Sequence, residues 1–265
     1  MKQYKNIISL SKNERGIWDL DTIKGCKSGL LENPNGCYND CYAYKTAKRY
    51  GIDFSKSIER YFENETHRNL IVKQIEKIDM PFIRIGCSGD PSENWQHTIN
   101  IIKQIKENSQ LSLFDISSKK QIVIITRHWN TLTDEQLIEL SKYNICVNTS
   151  VSALDNESLI NKSLTEYERL KPYCKSVLRI VSCDFNEDNL IGKKMAEIQR
   201  KLFKNDLTID TVFRPSSKNE FVINKIINVK KMGFMKSKAL VSKFNKKAYL
   251  GKCGTCLEMC GLNVK

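Results

Sequence analysis

Gly25-Cys26-Lys27-Ser28-Gly29-Leu30-Leu31-Glu32-Asn33-Pro34-Asn35-Gly36-Cys37-Tyr38-Asn39-Asp40-Cys41-Tyr42-Ala43-Tyr44 sets three cysteines in one loop, with the spacing C-x10-C-x3-C. Thiolates are the usual protein ligands of iron-sulfur clusters, and a cluster held by three of them keeps one iron open to a small molecule. The bland alternative is a tetrahedral zinc site completed by a fourth cysteine.

Outward from this loop, short apolar runs alternate with longer amphipathic ones, which predicts an α/β fold with a parallel sheet. Residues 82–86, 121–126, 145–151, 177–182 and 207–213 read as strands. Residues 134–142, 157–170 and 187–203 read as helices, and Ser92 is placed to cap another in which Trp95, Ile99, Ile102 and Ile105 recur at helical spacing. With 21–26 as the first strand there are six, enough for an open doubly wound sheet or for a partial (β/α)6 TIM-like barrel. The cysteine loop favours the barrel, because it follows the first strand directly, where barrels of this kind carry their functional groups. Residues 42–50 read as the next helix, with Ala43, Ala47 and Tyr50 on one side.

The loop resembles the cluster motif of the radical SAM superfamily, whose usual spacing is C-x3-C-x2-C with an aromatic residue after the third cysteine. Tyr42 supplies that aromatic, whereas the gaps differ and Tyr44 stands where a third cysteine would follow Cys37 and Cys41 at the usual spacing. After the second strand, Ser88-Gly89-Asp90-Pro91 resembles the superfamily's Gly-Gly-Glu-Pro motif, which holds the cofactor's amino group. Gly89 permits close backbone approach, and Asp90 offers a carboxylate to an ammonium group. Ser150 and Ser152 alternate at the end of the fourth strand near an expected ribose or carboxylate, and Arg179 is a charged side chain inside the apolar fifth strand, suited to a carboxylate. A turn or cap explains each serine equally well, and an internal ion pair explains Arg179.

The resemblance implies a 4Fe-4S cluster on Cys26, Cys37 and Cys41, S-adenosylmethionine on the open iron, and reductive cleavage to a 5′-deoxyadenosyl radical that abstracts hydrogen from a substrate. It implies an electron donor such as flavodoxin or ferredoxin as partner, and a lyase as the reaction class. Trp95, Trp129 and Tyr173 suggest a stacked modified nucleobase or nucleic acid as substrate, with a 7-deazapurine (queuine) lyase as one named option. Arg127, His128, Trp129 and Arg214 are further pocket candidates.

Cys253, Cys256 and Cys260 form a second cluster, expected to hold zinc or a second 4Fe-4S cluster with a fourth ligand from elsewhere. Cys87, Cys146, Cys174 and Cys183 are dispersed and read as small buried hydrophobes. The expected organisation is a barrel over 1–215 and a basic, cysteine-rich extension over 216–265.

Ten cysteines without an export signal point to metal chemistry in the cytoplasm rather than disulfides. No apolar run is long enough to cross a bilayer. The net charge of +13 and ten lysines against Glu220 over 216–252 suit an anionic partner. They also support a reading from another class, a non-catalytic, zinc-stabilised nucleic-acid-binding protein.

Overall fold

Side chains that alternate along each strand give the central sheet two unlike faces. The computed structural model describes residues 3–13, 16–39, 41–109, 120–212, 221–222, 227–231, 238–241, 249–250 and 258–265. β1 (Ser11–Lys12) lies antiparallel to β2 (Trp18–Asp19), and β3 (Ile23–Lys24) pairs antiparallel with β4 (Ile58–Glu59). Between β3 and β4 run α1 (Lys27–Glu32), a π-type turn over Pro34–Tyr38 and α2 (Tyr42–Arg49). There follow α3 (Glu65–Lys77), β5 (Phe82–Ile85), α4 (Trp95–Ser109), β6 (Gln121–Thr126), α5 (Asp134–Ser141), β7 (Ile145–Val151), α6 (Glu157–Leu170), β8 (Lys175–Ser182), α7 (Leu190–Leu202) and β9 (Thr208–Val212).

The seven-stranded sheet runs β1-β2-β5-β6-β7-β8-β9. All neighbours from β2 to β9 are parallel and follow chain order without reversal. A smaller antiparallel sheet joins β10 (Ile227–Lys231), β11 (Lys238–Val241) and β12 (Tyr249–Leu250). The helices begin where local chemistry says they should. Asn64, Asn156 and Asn189 accept amide hydrogen bonds at the starts of α3, α6 and α7, and Thr133 with Gln136 forms a capping box on α5.

On the helix face, Ile83, Ile85, Ile122, Ile124, Ile145 and Val147 pack with Ile71 and Ile75 of α3, Ile99, Ile102 and Ile105 of α4, and Leu137 and Leu140 of α5. Each fully buried side chain of this kind stabilises by about 1.5–3 kcal/mol. The opposite face holds Phe82, Val123, Cys146, Val177 and Ile209, and Met259, Cys260, Leu262 and Val264 pack onto them. Polar anchors fix that segment. Lys175 Nζ donates to the carbonyls of Leu262 (2.8 Å) and Val264 (2.7 Å), and Asn148 Nδ2 donates to that of Cys260 (3.0 Å). Gly261, at φ +91°, is required here, because a Cβ would stand 2.9 Å from Val177 Cγ2.

The expected first strand over 21–26 is displaced. The sheet's first parallel strand is β2, and Ile23–Lys24 leaves to pair with β4. At the departure Asp21 turns its carboxylate onto the backbone amides after β5, and the chain bridges that segment again only at Gly25–Gly89. Ser92 is likewise not the cap before α4; Asp90 caps a 3-10 turn over Pro91–Asn94 that leads into that helix. Tyr50 is 66 % exposed and does not join buried Ala43 and Ala47. Among the described residues no helix is long and apolar enough to cross a membrane.

Candidate functional site

The cysteine loop and the Ser88–Pro91 turn meet backbone to backbone. Gly25 N donates to Ser88 O (2.9 Å), and Gly25 and Gly89 form a parallel bridge. A Cβ on Gly89 would lie 2.4 Å from Ile23 O, and one on Gly25, at φ +89°, would lie 1.9 Å from Lys56 O, so only glycine fits either position. Beneath them the buried Asp21 carboxylate accepts three successive amides, from Gly86 (3.1 Å), Cys87 (2.7 Å) and Ser88 (3.1 Å). Glu93 clamps the other side by accepting from Ser28 N (2.8 Å) and Ser28 Oγ (3.0 Å).

Asp90 is buried and heavily used. Its Oδ1 accepts from Ser92 N (2.9 Å), Ser92 Oγ (2.7 Å) and Thr126 Oγ1 (2.8 Å), and its Oδ2 from Arg127 N (2.7 Å). It therefore fastens the end of β5 to the end of β6. Arg127 continues the chain of contacts by pairing with both oxygens of Asp155 (2.7 and 2.6 Å), which also accepts from Ser152 N (2.8 Å) and Asn33 Nδ2 (3.1 Å). The cysteine loop, the ends of β5 and β6, and the turn after β7 are thus one hydrogen-bonded unit.

Burial pushes the Cys26 thiol up, reinforced by Asp90, Cys37 and Glu93. Burial likewise raises Cys37, to about 11, although Arg127 pulls it down. Cys41 is raised by burial and eased by the amides of Tyr44 and Ala43, since it caps the start of α2. Cys26 and Cys41 pack into the cluster of Tyr38, Ala43, Ala47 and Phe54, in the loop that also carries Cys37. Tyr38, Tyr44 and Phe54 wall it, with Tyr38 and Tyr44 ring centres 4.8 Å apart. Among the described residues no group of three or more His, Cys, Asp or Glu side chains is gathered to hold a metal ion.

The inner face holds the rest. Tyr42 is 65 % exposed and its hydroxyl donates to Cys87 O (2.6 Å). Ser150 and Arg179 sit side by side in register, and Arg179 Nη1 donates to Ser150 Oγ (3.2 Å). Burial, together with nearby Arg84, lowers Arg179 to about 10. Arg84 Nε, by contrast, is matched by Asp19 Oδ1 (3.0 Å) and by Cys87 Sγ (2.8 Å), whose thiol donates to the same Asp19 oxygen (3.0 Å). Cys87 is therefore part of a polar cluster, whereas Cys146 and Cys183 are buried as expected.

Ser152 is committed elsewhere: its hydroxyl donates to Val181 O (3.1 Å) and accepts from Leu154 N (3.2 Å), which makes it a positioning residue for the turn after β7. Of the expected stacking aromatics, Trp95 packs in the helix-side core, Tyr173 packs against that core and Trp129 is buried. His128 is also buried, its Nε2 2.8 Å from Thr149 Oγ1 and its ring against Trp95, and burial lowers its pKa to about 3. Cys260 lies at the inner face, while Cys253, Cys256 and Arg214 lie outside the described residues. Asp21, Asp155 and Glu93 were missed by sequence reading; the one available signal was the Ser152-x-x-Asp155 turn spacing. Compared with protein-family models, curated proteins and solved structures, the chain matches none.

Proposed function

We propose that this chain is a radical SAM enzyme built on a partial (β/α) barrel. The observation that carries the reading is the Gly25–Gly89 contact, which sets a three-cysteine loop against a Ser-Gly-Asp-Pro turn beyond the ends of parallel strands. Strands in chain order without reversal suit a barrel, because a doubly wound sheet reverses its order at a switch point.

The donor set suits a 4Fe-4S cluster: three half-buried thiols in one loop, of which Cys41 stands at the start of α2 beside the amides of Ala43 and Tyr44, which partly offset its burial. Cys26, Cys37 and Cys41 would hold the cluster, and when bound it would supply the electron that cleaves S-adenosylmethionine. Among the described residues Asp90 Oδ2 accepts one hydrogen bond, from Arg127 N, and keeps a lone pair for an ammonium group. Ser88, Gly89 and Tyr42 form the wall beside it, and Ser150 offers a hydroxyl on the inner face. The Arg127–Asp155 pair holds the end of β6 against the cysteine loop, and the aromatic wall of Tyr38, Tyr44 and Phe54 excludes water.

The test is anaerobic loading with iron and sulfide, followed by reduction with S-adenosylmethionine present. Iron and labile sulfide in cluster stoichiometry, a reduced paramagnetic signal altered by S-adenosylmethionine, and release of 5′-deoxyadenosine are expected. A protein that takes up zinc alone and forms no 5′-deoxyadenosine would instead be the zinc-stabilised nucleic-acid binder.

A further inference from the structure

We propose that the outward face of α2 binds a single-stranded nucleic acid, gripping its phosphates with lysine and arginine and stacking a base on an exposed tyrosine. α2 follows Cys41 directly and buries Ala43 and Ala47 against Tyr38 and Phe54. The opposite side carries Tyr42, Lys45, Thr46 and Arg49, all exposed and spaced by three or four residues, so they share one face. Lys48 flanks them and Tyr50 follows at the end of the helix, both exposed. No acidic residue lies between Tyr42 and Arg49. Among the described residues neither Lys48 nor Arg49 has a carboxylate within ion-pair distance.

The last turn of a helix favours cations by itself, which would account for Lys48 and Arg49 alone. Lys45 and the exposed Lys56, whose carbonyl closes over Gly25, stand outside that turn. The cations would equally suit an acidic protein; the rings decide for nucleic acid. Tyr50 is 66 % exposed, and a ring held in water beside cations matches a strand that offers a phosphate and a flat base at every step. α2 has no Asn, Gln, Asp or Glu to pair with a base edge, so binding here is indifferent to base sequence, and it carries no set of groups that reads the 2′-hydroxyl. The helix starts at Cys41, and the Tyr42 hydroxyl reaches Cys87 O, so a strand on this face lies beside the cysteine loop. The inference rests neither on the radical SAM reading nor on the lysine-rich residues 216–252.

The experiment follows the fluorescence anisotropy of labelled oligodeoxyuridylate and oligouridylate of about 12 nucleotides, which differ only in the sugar, with the full chain over a range of potassium chloride. Both should bind the wild type within about threefold of each other. Lys48→Gln/Arg49→Gln should weaken binding about tenfold at about 0.1 M salt and lower the slope of log affinity against log salt by about 1.4, as the loss of two phosphate contacts requires. Tyr50→Leu should weaken binding at least about fivefold with the slope unchanged, because a stacked base carries no counterion. Lys193→Gln/Lys194→Gln removes the same charge from the exposed side of α7 and should stay within about twofold of wild type. An α7 pair that weakens binding as much as the α2 pair would reduce the effect to net charge and overturn the surface. Unchanged affinity in Tyr50→Leu, or a preference of about tenfold or more for either sugar, overturns the recognition by phosphate and ring. Poly-L-glutamate of matched charge, bound as tightly as the oligonucleotides and lost in the α2 pair, would make the partner an acidic protein and overturn the assignment to nucleic acid. If the α2 pair melts below wild type, Lys48→Gln and Arg49→Gln decide singly, each expected to lower the slope by about 0.7.

Discussion

The two faces of the central sheet solve opposite problems with the same strands. On the helix face, isoleucines and valines pack against three helices, and polar groups there, such as Thr149 and His128, bond to one another. The inner face carries Arg84, Asn148, Ser150 and Arg179, and part of its covering is supplied by residues 258–265 rather than by a helix. Apolar packing dominates one side, and charged and polar groups are gathered on the other. Alternation along a strand allows this, since neighbouring residues belong to different faces and can change independently.

The sharpest way to break this comparison is at the cysteine loop, which joins the inner side. Cys37→Ala or Cys41→Ala should abolish cluster assembly and 5′-deoxyadenosine formation while leaving the melting temperature of the unloaded protein nearly unchanged. Iron analysis and calorimetry on the same samples check both halves. Cys26→Ala should behave alike, and a variant that kept its full iron content would require another ligand in place of Cys26.

A smaller effect is expected from the helix face, with the roles reversed. Ile124 is fully buried there, so Ile124→Ala should cost about 2–5 kcal/mol in urea unfolding. Cluster content per folded molecule should stay at the wild-type level. Loss of iron in the folded fraction would show that the faces are not independent.

His128 gives the helix face a dependence on pH. Its pKa is lowered by burial to about 3, so the unfolded state binds the extra proton first as pH falls. Stability should be fully present above the unfolded value and decline below roughly pH 6.5, by at most about 1.4 kcal/mol per pH unit, as pH falls toward the folded value. Urea midpoints from pH 7 to 4 measure the slope, and His128→Gln should flatten it. An equal slope in the variant would assign the acid sensitivity to other groups.

The smallest change expected is at Ser152, whose hydroxyl serves the turn after β7. Ser152→Ala should cost about 1 kcal/mol of stability and leave S-adenosylmethionine affinity unaltered. A selective loss of affinity would return Ser152 to the cofactor.

Strands β6 and β7 and helix α6 were legible to the residue, because long apolar runs bounded by turn residues leave little choice of limits. The first strand was not. Its two-residue ladder, Trp18–Asp19, is too short to show a period, and the apolar residues that followed it suggested a longer run. The meeting of the cysteine loop with the Ser88–Pro91 turn was foreseeable from two short motifs. What held them together was not, because Asp21, Glu93 and Asp155 act through partners 28 to 122 residues distant or through local turns that carry no period. The stacking platform failed for a related reason: Trp95 and Trp129 look alike on paper whether they face a ligand or a core.

The triple amide grip of Asp21 should be visible without any cofactor or substrate. Gly86, Cys87 and Ser88 lie beyond the last residue of β5, where backbone N–H groups ordinarily trade with solvent quickly. Tied to a carboxylate that is 4 % exposed, they can exchange for deuterium only when the turn and residue 21 part company. An exchange map should therefore show the turn as slow as the sheet, and Asp21→Asn, which keeps the shape but weakens the acceptor, should speed those three amides ahead of their neighbours in β5.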